Sequence, residues 1–392
     1  MNQKFKESLF KGSRDHQHKR RSLSVAIVMI ITAAALISAP ISVASAQTAA
    51  NSQKTLRIGY FPNITHSQAV IGLNNGDFQK TLGENVSVET VRFNAGPSAI
   101  ESLLADRIDV TYIGPNPAIN GYLLSNGEDV RVISGASSGG ASFVVRNDSG
   151  INSVSDLGGK KFASPQLGNT QDVALRKYLV ENGFNTVENG GDVTMVALKP
   201  GDIISQFRSK SIDGAWVPEP ITTILKQQSN GKILVDERDL WPNGKFVTGN
   251  IIVRTDYLRD NPDVIKRLLQ AHVDETLWIN NDTTDAVKEF NTQLDRITGQ
   301  KIDPQVLSNA YSNLEITYDP LKLTLYKSAN DAYDLGFIEK GKERPNLSGI
   351  YDTKLLDEVL AEKGLPLIDG EDRGATSTNR TSGGDAVADI VA

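Results

Sequence analysis

Apolar residues recur along this chain at two alternating spacings, and the alternation predicts a fold. Residues 56–60, 86–93, 109–113, 130–134 and 142–146 are short runs rich in β-branched and aromatic side chains, and they predict strands. Between them, residues 66–82, 98–105 and 117–125 carry apolar side chains three and four apart and predict helices. Strand and helix in this order imply β-α-β units and a largely parallel, doubly wound α/β sheet. Ligands are expected at the carboxyl ends of its strands.

After Arg146 the polar stretch 147–153 interrupts the pattern, and a second α/β run begins at Lys160. Strands are predicted at 161–164, 193–198, 213–217 and 232–236, and helices at 173–183, 200–209 and 221–229. Residues 239–245 contain the Pro and Gly of a return crossing, after which 249–254 is expected to rejoin the first sheet. Beyond Asn261 the amphipathic segments 262–279, 285–297 and 320–333 predict helices that pack on the first lobe. The expected organisation is a first lobe of residues 55–149 and 246–369 with C-terminal helices, and a second lobe, 150–245, inserted into it. Two crossings between such lobes leave a cleft that can close by hinge rotation.

The ends read differently. Lys4, Lys6, Lys11, Arg14, Lys19, Arg20 and Arg21 precede an apolar run at 22–43, and Ala44-Ser45-Ala46 offers a cleavage site before Gln47. Residues 1–46 are expected to be a signal peptide or, because the run is long enough to span a bilayer, an uncleaved signal anchor. His16 and His18 fall in this leader and are set aside as ligands. Residues 370–392 lack periodic apolar positions and are expected to be a disordered tail. The 392 residues include no cysteine, which excludes disulfides, thiolate metal sites and cysteine nucleophiles. A formal net charge of -6 argues against a nucleic-acid partner.

Within the second run, residues 163–172 read as an anion cradle. A short strand ends in a turn containing Gly168, and a helix begins with Asn169 or Thr170 in capping position, followed by Gln171. Unpaired N–H groups and the positive end of the helix dipole then face one spot. An ordinary capped helix has the same sequence signature. Four further loops fall at expected strand ends. In the first, Asn63, Thr65 and His66 are candidate donors; otherwise Asn63 or Thr65 is a helix cap and His66 a surface residue. In the second, Gly114 shapes a turn that exposes N–H groups up to Asn116, or is a turn and nothing more. The third, 134–142, includes Ser138 and Gly139 and offers hydroxyls and close approach, or is a flexible link. In the fourth, Trp216 either covers a ligand's apolar part or belongs to the core. Glu219 either accepts from an ammonium or N–H group, or supports the hinge.

Catalytic alternatives have little to draw on. Only His66 and His272 lie in the body, and no GxSxG, Walker A, HExxH or GxGxxG sequence occurs there. No cofactor and no metal are implied.

With these residues in view, the chain resembles the solute-binding proteins of ABC importers for sulfonates, taurine and nitrate, which share a fold with the pyrimidine synthase of thiamine biosynthesis. The likeness spans residues 56–338. It rests on the first strand with Phe61-Pro62, on residues 96–115, on 154–163 with the Gly168-Asn169-Thr170-Gln171 turn, and on 212–220. The resemblance implies a bilobal type II periplasmic-binding fold, no catalysis, and export to the periplasmic or extracellular face. It implies a small anionic solute as ligand, ABC permease subunits as partners and a monomeric state. In sulfonate binders the anionic head lies at helix starts, which here maps onto Gly168, Asn169, Thr170 and Gln171. The loops at 63–66, 114–116, 138–140 and 216–219 match ligand-facing positions approximately. A cradle without lysine or arginine in its turn suits a monovalent anion, a sulfonate first and nitrate as competitor; a thiamine-precursor-binding protein of the same fold and a membrane-anchored surface sensor are the other readings.

Overall fold

The computed structural model describes residues 53–339 and 344–368, so the expected leader at 1–46 and tail at 370–392 lie outside the described residues. Eleven named strands form two sheets among them. In chain order they are β1 (Lys54–Tyr60), β2 (Val86–Arg92), β3 (Val110–Ile113), β4 (Val130–Gly139), β5 (Ala141–Arg146) and β6 (Lys161–Ser164). There follow β7 (Thr194–Ala197), β8 (Gly214–Pro218), β9 (Gly231–Asp236), β10 (Val247–Arg254) and β11 (Leu314–Ile316). The first sheet has the order β11-β4-β10-β3-β1-β2, and the second β7-β6-β8-β5-β9.

Side chains alternate across each sheet because successive strand residues point to opposite faces. On β10, Ile251 and Val253 join one buried cluster with Ile58, Val110 and Leu268, while Ile252 joins another with Ile113, Ile119 and Val132. The second sheet does the same: Phe143, Phe162 and Trp216 pack on one side, and Val144, Ala163, Ala215 and Val217 on the other. With helices on both faces, strand carboxyl ends are the places left for polar loops.

β10 rejoins the first sheet as expected, running antiparallel between β3 and β4. Three expectations are corrected. Residues 142–146, read with the first run, pair with β8 and β9 of the second sheet. The chain therefore passes between sheets at Gly139 and Gly140, both at positive φ (73° and 69°), and not after Arg146. Residues 134–139, read as a link, extend β4, because pairing with β10 and β11 outweighs the weak strand preference of Ser and Gly. The helix expected over 66–82 is two helices, Ser67–Asn75 and Asp77–Leu82, divided by Gly76 at φ 99°, a left-handed conformation that interrupts the helical ladder.

Helix Lys322–Asp334 packs on Pro115–Leu124 of the first lobe and also reaches Thr170–Glu181 beyond β6. Lys177 Nζ meets Asp334 Oδ2 at 3.1 Å there. Among the described residues no helix is long and apolar enough to cross a membrane.

Candidate functional site

Helix Thr170–Glu181 starts where β6 ends, and its first turn shows which N–H groups remain unused. Asn169 is the cap: its side chain accepts from Asp172 N at 2.9 Å, and its own N–H donates to Gln166 O. Gly168, at φ 75°, donates its N–H to Asp172 Oδ2 at 2.9 Å. Asp172 also accepts from Ser164 Oγ at 2.8 Å and pairs with Arg176 Nε at 3.2 Å, with only 2% of its side chain exposed. The expected donors Gly168 and Asn169 are therefore committed to the turn itself. Among the described residues the N–H groups of Thr170 and Gln171 meet no acceptor. The cradle narrows to those two, with the helix dipole behind them. Arg176 is held by Asp172, and its charge is compensated there.

The first sheet brings its own loop to this spot. Gly114, ending β3, lies so close that a Cβ on it would sit 2.5 Å from Thr170 Oγ1. Its φ of -73° is open to any residue, so glycine here serves the close approach and not a backbone conformation. Asn116, in the first turn of helix Pro115–Leu124, donates from Nδ2 to Ser328 O at 3.1 Å and ties that helix to Lys322–Asp334.

The loop after β1 is shaped by Asn63, whose side chain caps the turn Ile64–His66 by accepting from Thr65 N at 2.8 Å. His66 is not on the surface: it is 1% exposed, with its ring 4.5 Å from that of Phe61 and 5.8 Å from that of Tyr112. Nδ1 accepts from Phe61 N at 3.1 Å, which leaves the proton on Nε2. Burial lowers its pKa to about 3, so the imidazole is a neutral donor at physiological pH.

Four other expected ligand residues are occupied elsewhere. Trp216 is wholly buried, stacked on Phe143 with ring centres 5.5 Å apart, and its Nε1 donates to Glu237 Oε2 at 2.7 Å. Of the two readings, this placement in the core is the second. Glu219 accepts from Thr223 N at 3.0 Å, Thr223 Oγ1 at 2.9 Å and Asn313 Nδ2 at 2.7 Å, and so links the second sheet to the segment before β11. Ser138 lies inside β4, opposite Val247 and Glu315. Gly139 donates to Phe246 O at 3.1 Å and accepts from Thr248 Oγ1 at 2.6 Å, which uses its backbone groups at the crossing.

Two features went unread in the sequence. Asp172 organises the cradle, and its signal was an acid in the first turn of a capped helix. Asn250 is fully buried on β10 beside Ile113 and Gly135, and neither of its amide atoms has a hydrogen-bond partner among the described residues. Its signal was an amide in an otherwise apolar strand.

Burial pushes the carboxyls of Glu219 and Glu237 up to about 7 from the ordinary 4.5. The folded state then holds protons that the unfolded chain releases, so the stability linked to them is full below about pH 4.5 and lost as pH rises through about 7. These groups are expected to lower the unfolding midpoint between about pH 5 and 8. Glu237→Gln, which keeps an acceptor for Trp216, should flatten that fall in thermal melts. An undiminished fall in the variant would contradict the assignment.

Two sheets joined at Gly139–Gly140 and again between β9 and β10 have the two-lobed architecture of the periplasmic-binding fold. The chain belongs to the NMT1-like family, whose model matches residues 49–290. A Bacillus subtilis (strain 168) protein named for binding aliphatic sulfonates is 25% identical over 316 residues, covering 79% of this chain and 89% of that protein. The fold is also that of the alkanesulfonate-binding protein SsuA from Xanthomonas axonopodis pv. citri, solved bound to MOPS. The TM-score is 0.60 at 20% identity, over 72% of this chain and 92% of that one. The ligand-binding component of an ABC-type import system from Staphylococcus aureus matches with TM-score 0.62 at 16% identity, over 78% and 99%.

Proposed function

We propose that this protein is the extracytoplasmic solute-binding component of an ABC importer, capturing a small monovalent oxyanion, with a sulfonate or taurine favoured. One observation carries the reading: the unpaired N–H groups of Thr170 and Gln171 at a helix start, with Gly114 of the other lobe in contact range. The Bacillus subtilis and Xanthomonas proteins, both named for sulfonates, support the ligand class, and the Staphylococcus aureus protein supports the importer role. In this reading the lobes are residues 55–149 with 246–369, and 150–245, the crossing strand excepted. They rotate about Gly139–Gly140 and the return segment. His66 Nε2 and the Asn250 amide add neutral donors from the first lobe. No free cation sits in the turn, so a second negative charge would be desolvated without compensation. The site holds the solute and changes no bond in it, and permease subunits receive it.

A thermal-shift screen against taurine, ethanesulfonate, sulfate, nitrate and bicarbonate tests the ligand class. A tight ligand at about 1,000 times its Kd should add about 4 kcal/mol. The expected order places the sulfonates first and nitrate behind them; no shift with any anion would remove the reading.

Closure predicts a further result. Gly114→Ala should overpack this contact with Thr170 at a cost of about 1–3 kcal/mol and weaken anion binding about tenfold or more. Titration calorimetry reads this directly, and unchanged affinity would show that Gly114 and Thr170 do not meet in the bound state.

A further inference from the structure

A second polar recess lies on the helical side of the first lobe, apart from the cleft. Helices Ser67–Asn75, Asp77–Leu82, Pro262–Asn281 and Thr283–Thr298 enclose a groove of about 620 Å³. Its walls carry five carboxyl side chains, Asp77, Asp274, Glu275, Asp285 and Glu289, against two ammonium groups, Lys80 and Lys288. Some of this charge is already compensated: Lys288 Nζ is 2.7 Å from Asp285 Oδ1, and Lys363 Nζ is 2.6 Å from Asp274 Oδ1. Among the described residues no ion pair reaches Asp77, Glu275 or Glu289.

Glu275 is the telling residue. It is only 5% exposed and lines the groove, yet its Oε1 is buried with no hydrogen-bond partner among the described residues. A buried carboxyl oxygen without a donor is costly, and a native fold rarely leaves one without a use. Burial, with Asp77, Glu289 and Asp274 near it, pushes this carboxyl up to about 8. Next to it, Glu289 Oε1 accepts from Gln293 Nε2 at 2.7 Å, while Gln293 Oε1 is likewise buried and unpaired. Acceptors are therefore in surplus. Trp278, 38% exposed, lines the same groove and offers an aromatic surface beside them.

Acceptors in excess, a carboxyl held uncompensated and an open indole together suit one kind of ligand. A primary ammonium brings three donors and a positive charge, and its methylene stem can lie along an aromatic ring. We propose that this groove binds the ammonium head of an alkylamine, with Glu275 and Glu289 as acceptors and Trp278 against the stem. The same chemistry is carried by a free amine and by a lysine side chain of another protein.

Titration calorimetry of the purified full chain with n-pentylammonium and with Nα-acetyl-lysinamide tests the site, with n-pentanol as the uncharged control. Saturable binding of the cations and none of the alcohol is expected. Tighter binding of n-pentylammonium points to a free amine, and tighter binding of the lysine derivative to a protein side chain. Glu275→Gln should weaken the better probe at least about tenfold. That variant removes a buried acidic group without changing its shape, so its thermal midpoint should not fall, which separates lost binding from lost folding. Trp278→Ala should weaken binding several-fold. Absence of saturable heat with both cations, or undiminished binding by Glu275→Gln, would overturn the proposal. The anion cleft is not involved, so either result is independent of sulfonate binding.

Discussion

Thr170→Pro is expected to lower affinity for the bound anion by at least about 100-fold while leaving its helix standing, since each hydrogen bond to a charged group contributes about 1.5–3 kcal/mol. The substitution removes both an N–H and a hydroxyl from the cradle. Proline is well tolerated at the first helical position, where no intrahelical bond needs its N–H. The preceding Asn169, at φ -79° and ψ 174°, is already in the extended conformation that a following proline requires. Circular dichroism and thermal melts should therefore resemble those of the parent, and titration calorimetry should not. Retained affinity would show that the anion binds elsewhere.

The second large effect falls on stability. Asp172→Ala removes a nearly buried carboxylate that holds Ser164 Oγ, Gly168 N and Arg176 Nε, and leaves the Arg176 guanidinium largely buried without it. Breaking one side of such a pair is expected to cost about 3 kcal/mol or more. Urea unfolding measures it, with an unchanged dependence on denaturant and a lower midpoint. A loss below about 1 kcal/mol would indicate that Arg176 finds another partner, such as Glu188, whose Oε2 is 3.7 Å from Nη1.

The parts of this molecule that were readable from sequence are those set by local chemistry. Asn169 as cap and the paired strands and helices of both lobes follow from residue type and spacing. What escaped depends on residues far apart in the chain. Trp216 is core because Glu237, on the segment after β9, accepts its indole N–H. Glu219 is committed because Asn313 reaches it from 94 residues away. Both roles were open alternatives in the sequence, and only the fold decides between them. The crossing at Gly139–Gly140 was missed because the serines before it weakly favour strands, and partner strands decided the matter. That Gly168 donates its N–H to Asp172, four residues on, was not legible from its position in the chain. The short strand Leu314–Ile316 has too few residues to carry a periodic signal.

Anion capture rests on two N–H groups, and a crystal structure of the chain grown with ethanesulfonate examines them directly. The sulfonate oxygens are expected within hydrogen-bond distance of Thr170 N and Gln171 N, with Gly114 in contact across the cleft. A sulfonate bound away from the start of that helix, with both N–H groups unengaged, would contradict it.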